Sequence, residues 1–151
     1  MLYFGEIYWA QLPHNVNSSV QSGLRPVLVV SNNTCNRFSP VITVVPLTSK
    51  HKSKHLPTHV TFCGEGLLRE SQILCEQILS IDKKLLDRRI GIIQNEEILK
   101  QIICALMVQL NMNGVEPVCP VVPDKDTVSD KWLKRLYSQS EYALKQLSMV
   151  S

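Results

Sequence analysis

Arg25 is the residue best placed for chemistry, because it stands between a glycine and a strongly apolar stretch. Gly23 can adopt backbone angles closed to other residues, and Pro26 favours an extended Arg25 at the start of a strand. The valine-rich run Val27–Val30 is typical of a strand buried on both faces. The guanidinium would then stand at the mouth of a rigid strand, where it can meet a phosphate. From this stretch alone, a surface arginine in a loop is an equally good interpretation.

A second pattern has the residue types of a metal site. Four possible ligands recur at every fourth residue: His51, His55, His59 and Cys63. On a helix they would share one face. However, Pro57 interrupts the span and Thr58–Phe62 is typical of a strand, so we predict no metal and no cofactor. The sequence also holds neither a phosphate-binding loop nor a His-Glu-x-x-His motif.

Composition and charge place the chain among ordinary globular proteins. It has 151 residues, 44% of them hydrophobic, and a net charge of +3. The five cysteines form no Cys-x-x-Cys pair, so we expect reduced thiols. No stretch approaches a membrane span or a signal peptide, and we predict a cytoplasmic protein that does not bind membranes. The basic residues cluster in two segments: Lys50, Lys52 and Lys54, and Lys83, Lys84, Arg88 and Arg89.

The elements that must position these residues are mostly short strands. The pattern predicts strands over residues 6–11, 27–30, 41–48, 58–62, 72–79 and 89–93, with a short helical turn between 32 and 40. Asp82 is expected to cap one further turn. Asn95 is expected to cap an amphipathic helix that ends near Gly114. Several short strands followed by one helix suggest a small curved sheet or barrel that the helix closes.

The C-terminal part differs in composition from the rest. Residues 116–123 carry three prolines and are typical of a semi-rigid linker. The spacing of apolar residues over 127–149 predicts a second amphipathic helix, whose apolar face includes Trp132. We therefore predict one domain over residues 1–115 and a linker with a helical extension over residues 116–151.

Six blocks along the chain carry a family resemblance: Gly5–Ala10, Gly23–Asn32, Asn36–Pro40, Val45–Ser49, Leu56–Val60 and Glu76–Asp82. In this order and spacing the sequence resembles the MazF/PemK/Kid toxins, which are mRNA endoribonucleases of bacterial toxin–antitoxin systems. The resemblance runs from about Gly5 to Asn113. The extension from Glu116 onward has no counterpart in the compact members.

The resemblance implies a fold and a reaction. The fold would be mainly β with C-terminal helices: an SH3-like barrel of the CcdB/PemK/MazF toxin type, paired as a homodimer. The reaction would be metal-independent, sequence-specific cleavage of single-stranded mRNA by attack of a ribose 2′-OH, leaving a 2′,3′-cyclic phosphate and a 5′-OH. The implied partner is an antitoxin with an acidic and apolar C-terminal segment. Operator DNA is expected only together with that antitoxin.

The resemblance also assigns site residues. Arg25 matches the catalytic arginine of the family and Thr48 its catalytic threonine. Glu76 matches an acidic residue and is expected to act as a base, to orient Arg25 or to recognise an RNA base. The remaining implied residues line the RNA groove: Ser19, Gln21, Ser49, Lys50, Lys52, Lys54 and Gln77.

Two departures from the family pattern select a branch. No histidine stands at Ser19, and Leu74 occupies a position where Kid-like members have an arginine. The Arg25/Thr48 pair of the MazF branch of Gram-positive bacteria therefore fits better. Two alternatives remain open: a CcdB-like toxin that inhibits DNA gyrase, and a catalytically silent module that binds RNA or antitoxin.

Overall fold

The computed structural model describes residues 1–13, 18–50 and 56–112. In chain order these residues form β1 (Glu6–Leu12), β2 (Gly23–Val29), α1 (Asn33–Phe38), β3 (Val41–Thr48), β4 (His59–Phe62), β5 (Ser71–Leu74), β6 (Leu79–Asp82), a 3₁₀ turn (Lys83–Leu85), β7 (Leu86–Ile92) and α2 (Glu96–Gln109).

The strands form one antiparallel sheet in the order β4-β5-β3-β2-β1-β7. One edge of β3 pairs with β2, and its other edge pairs with β6 at the start and with β5 at the end. The sheet is strongly curved, because the loop after β4 contacts β7 at the opposite end of the order. A Cβ added at Gly91 would lie 2.1 Å from the carbonyl oxygen of Glu65, and one at Gly66 would lie 2.7 Å from that of Ile90. Only glycine allows the two backbones to come this close.

Two apolar clusters lie on the two faces of the central strands. The helix-side cluster contains Ile7, Leu28, Val45, Leu47, Val60, Phe62, Ile73, Cys75, Ile93, Ile102 and Ala105. The second cluster contains Ala10, Leu12, Val27, Val29, Ile42, Val44 and Ile81. Because alternate residues of β2 enter alternate clusters, both faces of this strand are buried, and Val27, Leu28 and Val29 are each 0% exposed. The prediction made from the valine run is thereby confirmed.

Most of the predicted elements are confirmed, but the strand predicted over residues 72–79 is wrong. This segment forms two strands, β5 and β6, separated by a tight turn in which Gln77 N–H donates to the carbonyl of Leu74 at 3.0 Å. The turn contains none of the Gly, Pro, Asn or Asp residues that usually mark one. The apolar residues on both sides therefore appear in the sequence as one continuous strand.

The predicted caps are confirmed, whereas the predicted end of the long helix is too late. The Asn95 side chain accepts hydrogen bonds from the N–H groups of Glu97 and Ile98, and Asp82 caps the 3₁₀ turn by accepting from Lys84. Helix α2 ends at Gln109 because Asn111 adopts a positive φ of 54°. The N–H groups of Asn111 and Met112 then reach back to Val108 and Met107, which is the Schellman termination.

Several sequence predictions fall outside the described residues. They are the domain boundary near residue 115, the proline-rich linker, the second amphipathic helix, and the side chains of Lys52 and Lys54. These stay predictions. In the described part of the chain, no helix is long and apolar enough to cross a membrane.

Candidate active site

Two prolines position Arg25 and Thr48. The β2–β3 register ends at the pair Val27 and Pro46, and Pro26 is the next residue of β2. Proline has no N–H to donate, so the hydrogen-bonded ladder between β2 and β3 stops where each strand has a proline. Continuing the same register by two residues brings Arg25 opposite Thr48, just beyond the last pair. By strand alternation both side chains lie on the face of the second cluster.

Local contacts hold the Arg25 guanidinium at this strand end. Gly23 has a φ of +75°, a backbone angle that favours glycine at the start of β2. The Nε–H of Arg25 donates to the carbonyl of Ser22 at 2.8 Å, and Nη1 donates to the Gln21 side chain. Partial burial lowers the pKa of Arg25, but an arginine remains protonated. The remaining N–H donors have no ion-pair or hydrogen-bond partner among the described residues, so they are available to an anion.

Thr48 is half-buried at the last position of β3. Its hydroxyl oxygen accepts a hydrogen bond from the N–H of Lys50 at 3.2 Å. A hydroxyl that accepts one hydrogen bond can still donate its own proton. Thr48 therefore keeps a proton to donate at the end of β3.

The loop before β2 and the turn after β5 meet next to Arg25. Gln21 N–H donates to the Gln77 side chain at 2.8 Å, and Gln77 donates to the carbonyl of Ser19 at 3.4 Å. The structure thus brings four of the predicted site residues into one connected group: Ser19, Gln21, Arg25 and Gln77. Their amides present both donors and acceptors, which is the chemistry needed to read the edge of an unpaired base.

Glu76 lies in the same turn, but its carboxylate points to a partner that the sequence reasoning had missed. Its Oε1 is 3.0 Å from Nε2 of His59, and Thr58 donates to its Oε2 at 3.4 Å. The His59 side chain is only 1% exposed, whereas that of Glu76 is 20% exposed. In the sequence, the spacing of His59 indicates only a candidate metal ligand. The contact between His59 and Glu76 follows from the strand pairing, since β4 and β5 pair His59 with Leu74, two residues before Glu76.

The other predicted site residues are spread around this end of the sheet. Ser49 and Lys50 are exposed directly after β3. Ser49 also lines a separate groove on the other face, together with Trp9 and Arg69. Among residues 1–13, 18–50 and 56–112, no group of three or more potential metal-ligating side chains converges.

This arrangement combines a fixed cation, a hydroxyl donor and a carboxylate–histidine pair. A planar guanidinium and a hydroxyl can together bind the non-bridging oxygens of a phosphodiester. A carboxylate at the edge of such a site can accept a proton. The geometry therefore suits phosphoryl chemistry on a bound nucleic-acid strand.

Comparison with known proteins identifies the class to which this chain belongs. Residues 3–110 match the family model of the PemK-like, MazF-like toxins of type II toxin–antitoxin systems. The chain is also 43% identical over 94 residues to Endoribonuclease EndoA of Bacillus subtilis, a match that covers 61% of this chain and 80% of the relative. The chain belongs to the PemK-like, MazF-like toxin family. The predicted enzyme class, an endoribonuclease, is confirmed by this similarity.

Solved structures agree with the family assignment at the level of the fold. MazF from Deinococcus radiodurans matches with a TM-score of 0.62 and 21% identity, covering 74% of this chain and 97% of that one. A mycobacterial endoribonuclease in complex with its cognate antitoxin matches with a TM-score of 0.60 and 23% identity, again covering 74% and 97%. The predicted fold class, a mainly β toxin barrel with a C-terminal helix, is confirmed.

Proposed function

We propose that this chain is a metal-independent endoribonuclease toxin that cleaves single-stranded mRNA at short sequences. The observation that carries the proposal is the β2–β3 register, which ends at Val27 and Pro46. Its continuation would place Arg25 opposite Thr48. The family and its endoribonuclease relative supply the substrate class. The site residues supply the chemistry.

In the proposed reaction the ribose 2′-OH attacks the adjacent phosphorus and the 5′-oxygen of the next nucleotide leaves. One P–O bond forms and one breaks, and the leaving 5′-oxygen takes a proton from solvent water, giving a 2′,3′-cyclic phosphate and a 5′-OH. Arg25 binds two oxygens of the crowded phosphorane, and the Thr48 hydroxyl donates a hydrogen bond to a non-bridging oxygen. DNA is not cut, because it lacks the nucleophile.

The proton of the 2′-OH needs an acceptor, and the guanidinium cannot serve because it stays protonated. The Glu76 carboxylate is the acceptor in this proposal. His59 and Thr58 fix its orientation through contacts of 3.0 Å and 3.4 Å. Ser19, Gln21 and Gln77 contact the bases, while Lys50, Lys52 and Lys54 add salt-sensitive affinity for phosphates.

The partners in this proposal are a second copy of the chain and a cognate antitoxin. The structure of the mycobacterial endoribonuclease was solved in complex with its cognate antitoxin. A cationic site attracts a disordered segment that is acidic and apolar, and such a segment would cover Arg25. Binding of operator DNA is assigned only to the complex with antitoxin.

Cleavage by variants in a chelator tests this function. Purified full-length protein is incubated with a long single-stranded RNA in excess EDTA, and fragments are resolved on a gel. We expect Arg25→Ala and Thr48→Ala each to lower the cleavage rate by about 10²-fold or more, because each removes a donor to the transition state. Arg37→Ala, an exposed arginine on α1, should cleave at the wild-type rate.

Three results would contradict the proposal. Wild-type rates in both site variants would remove Arg25 and Thr48 from the mechanism. Intact RNA after incubation with the wild-type protein would favour one of the two alternatives, a CcdB-like gyrase inhibitor or a catalytically silent binding module. Loss of cleavage in EDTA would show that the reaction needs a metal ion, which contradicts the proposed metal independence.

A further inference from the structure

A second groove lies on the other face of the strand ends that carry Arg25 and Thr48. Its volume is about 590 Å³, within the range of sites that hold a small ligand. Trp9, Pro26 and Leu47 contribute apolar surface to it. The polar contribution comes from Ser49, Arg69 and Arg88.

The groove is cationic because two of its arginines are not neutralised. Arg89, which also lines it, is paired with the buried carboxylate of Glu6 at 2.7 Å. Arg69 and Arg88 are exposed, and neither makes an ion pair within the part of the chain that the structure describes. The described lining residues include no aspartate or glutamate. The expected occupant is therefore an anion with apolar or aromatic surface.

The groove is continuous with the candidate active site along the chain. Pro26 follows Arg25 in β2, and Ser49 follows Thr48, the last residue of β3. Each active-site residue is therefore followed along the chain by a residue that lines the groove. Successive residues of a strand point to opposite faces. A chain bound at Arg25 and Thr48 that crosses the end of β3 would arrive in the groove.

We propose that this groove is an accessory RNA subsite, which takes a nucleotide flanking the cleaved phosphodiester. A base stacks on the Trp9 indole, and Arg69 and Arg88 bind the adjoining phosphates. Aromatic stacking beside arginines is the usual way to hold single-stranded nucleic acid without regard to sequence. An acidic protein segment is the competing occupant, but it would make no special use of the Trp9 ring. The inference rests on the proposed function, since it extends the path of the same substrate.

Binding of extended RNAs tests the subsite. The cleavage sequence is first mapped from the 5′ ends of cut RNA. Three labelled RNAs are then made with a 2′-deoxynucleotide at the cleaved position, so that they are not cut. One holds the mapped sequence alone, and the other two extend it with uridines on the 5′ side or on the 3′ side.

We expect full-length wild-type protein to bind one extended RNA about tenfold more tightly than the short one. Arg69→Gln with Arg88→Gln should abolish that gain while leaving affinity for the short RNA unchanged. The slope of log K against log salt for the extended RNA should fall by about 1.4, which is about 0.7 for each lost phosphate contact. The matched control removes two charges elsewhere: Arg37→Gln with Lys84→Gln.

Tryptophan fluorescence gives an independent readout. The chain has two tryptophans, so Trp132→Phe leaves Trp9 alone. Stacking should quench Trp9 with the extended RNA and not with the short one.

Two outcomes would overturn the proposed subsite. Either neither extension tightens binding by the wild-type protein, or the double variant Arg69→Gln with Arg88→Gln still binds the extended RNA as much more tightly as the wild type does. If the double variant keeps the tighter binding of the extended RNA, an acidic protein segment becomes the better-supported occupant of the groove. Both results are distinguishable from failure of the proposed function, in which the wild-type protein would cut no RNA at all.

Discussion

At the scale of single residues, the site depends on side chains whose hydrogen-bonding capacity is only partly used. Arg25 uses Nε and Nη1 to hold its position and keeps its other donors for a ligand. Thr48 accepts from Lys50 and keeps its proton. Both groups are therefore oriented before substrate arrives, which is the arrangement that stabilises a transition state without reorganisation.

Glu76→Gln tests which role the carboxylate has. If Glu76 accepts the 2′-OH proton, the variant should lose the acidic limb of the pH–rate profile together with most of its rate, by about 10²-fold or more. Single-turnover cleavage between pH 4.5 and 8 measures this. Retention of the wild-type acidic limb would show that Glu76 is not the base, and Thr58→Val controls for loss of a hydrogen bond to the same carboxylate.

Cys75 makes stability depend on pH. Burial, with a smaller contribution from Glu76, raises the pKa of the Cys75 thiol to about 12. An unfolded thiol has a pKa of about 8.5. Because the folded state keeps this proton to higher pH, the free energy of unfolding should fall as pH rises from about 8.5 towards 12.

Urea unfolding at pH 7.5 and pH 10 checks this prediction. Cys75→Ala should lose less stability than wild type between these values, by up to about 2 kcal/mol. Cys35→Ala, which changes an exposed cysteine, should behave as wild type does. Equal losses in the wild type and in Cys75→Ala would contradict the account.

At the scale of elements, the curved sheet is closed by backbone contact rather than by a strand ladder. Gly91 of β7 and Gly66 of the loop after β4 let the two segments touch. This contact also shapes the second groove, since Gly66 and Ile90 both line it.

Gly91→Ala should destabilise the protein by about 1–3 kcal/mol, because the new methyl group would meet the Glu65 carbonyl at 2.1 Å. Chemical denaturation measures the change. Ser80→Ala, at an exposed position of β6, serves as the control and should change stability by no more than about 0.5 kcal/mol. Unchanged stability in Gly91→Ala would show that the loop and β7 separate easily.

The sequence predicted the elements that rely on local signals. The buried valine run, the Asn95 cap and the positive φ of Gly23 each follow from residue type, and the structure contains all three. The turn after β5 and the end of α2 at Asn111 were missed, because no glycine or proline marks either one. The pairing of His59 with Glu76 was also missed, since it depends on the β4–β5 register.

At the scale of the whole molecule, family membership supports the endoribonuclease class, and the reaction at Arg25 and Thr48 is our proposal. The family match spans residues 3–110, which include every site residue proposed here. The net charge of +3 is modest, so local placement of arginines matters more than overall charge. The order of the sequence blocks along the chain was enough to predict the family. The second groove could not be predicted in this way, because its lining residues are far apart in the sequence and meet only in the folded sheet.

The most direct test of the central claim is cleavage of two RNAs that differ by one oxygen. One carries the mapped cleavage sequence, and the other has a 2′-deoxynucleotide on the 5′ side of the cut. With wild-type protein in EDTA, we expect the first to be cut to a 2′,3′-cyclic phosphate and a 5′-OH, and the second to stay intact. Cleavage of the deoxy substrate, or products with 5′-phosphate ends, would contradict the account.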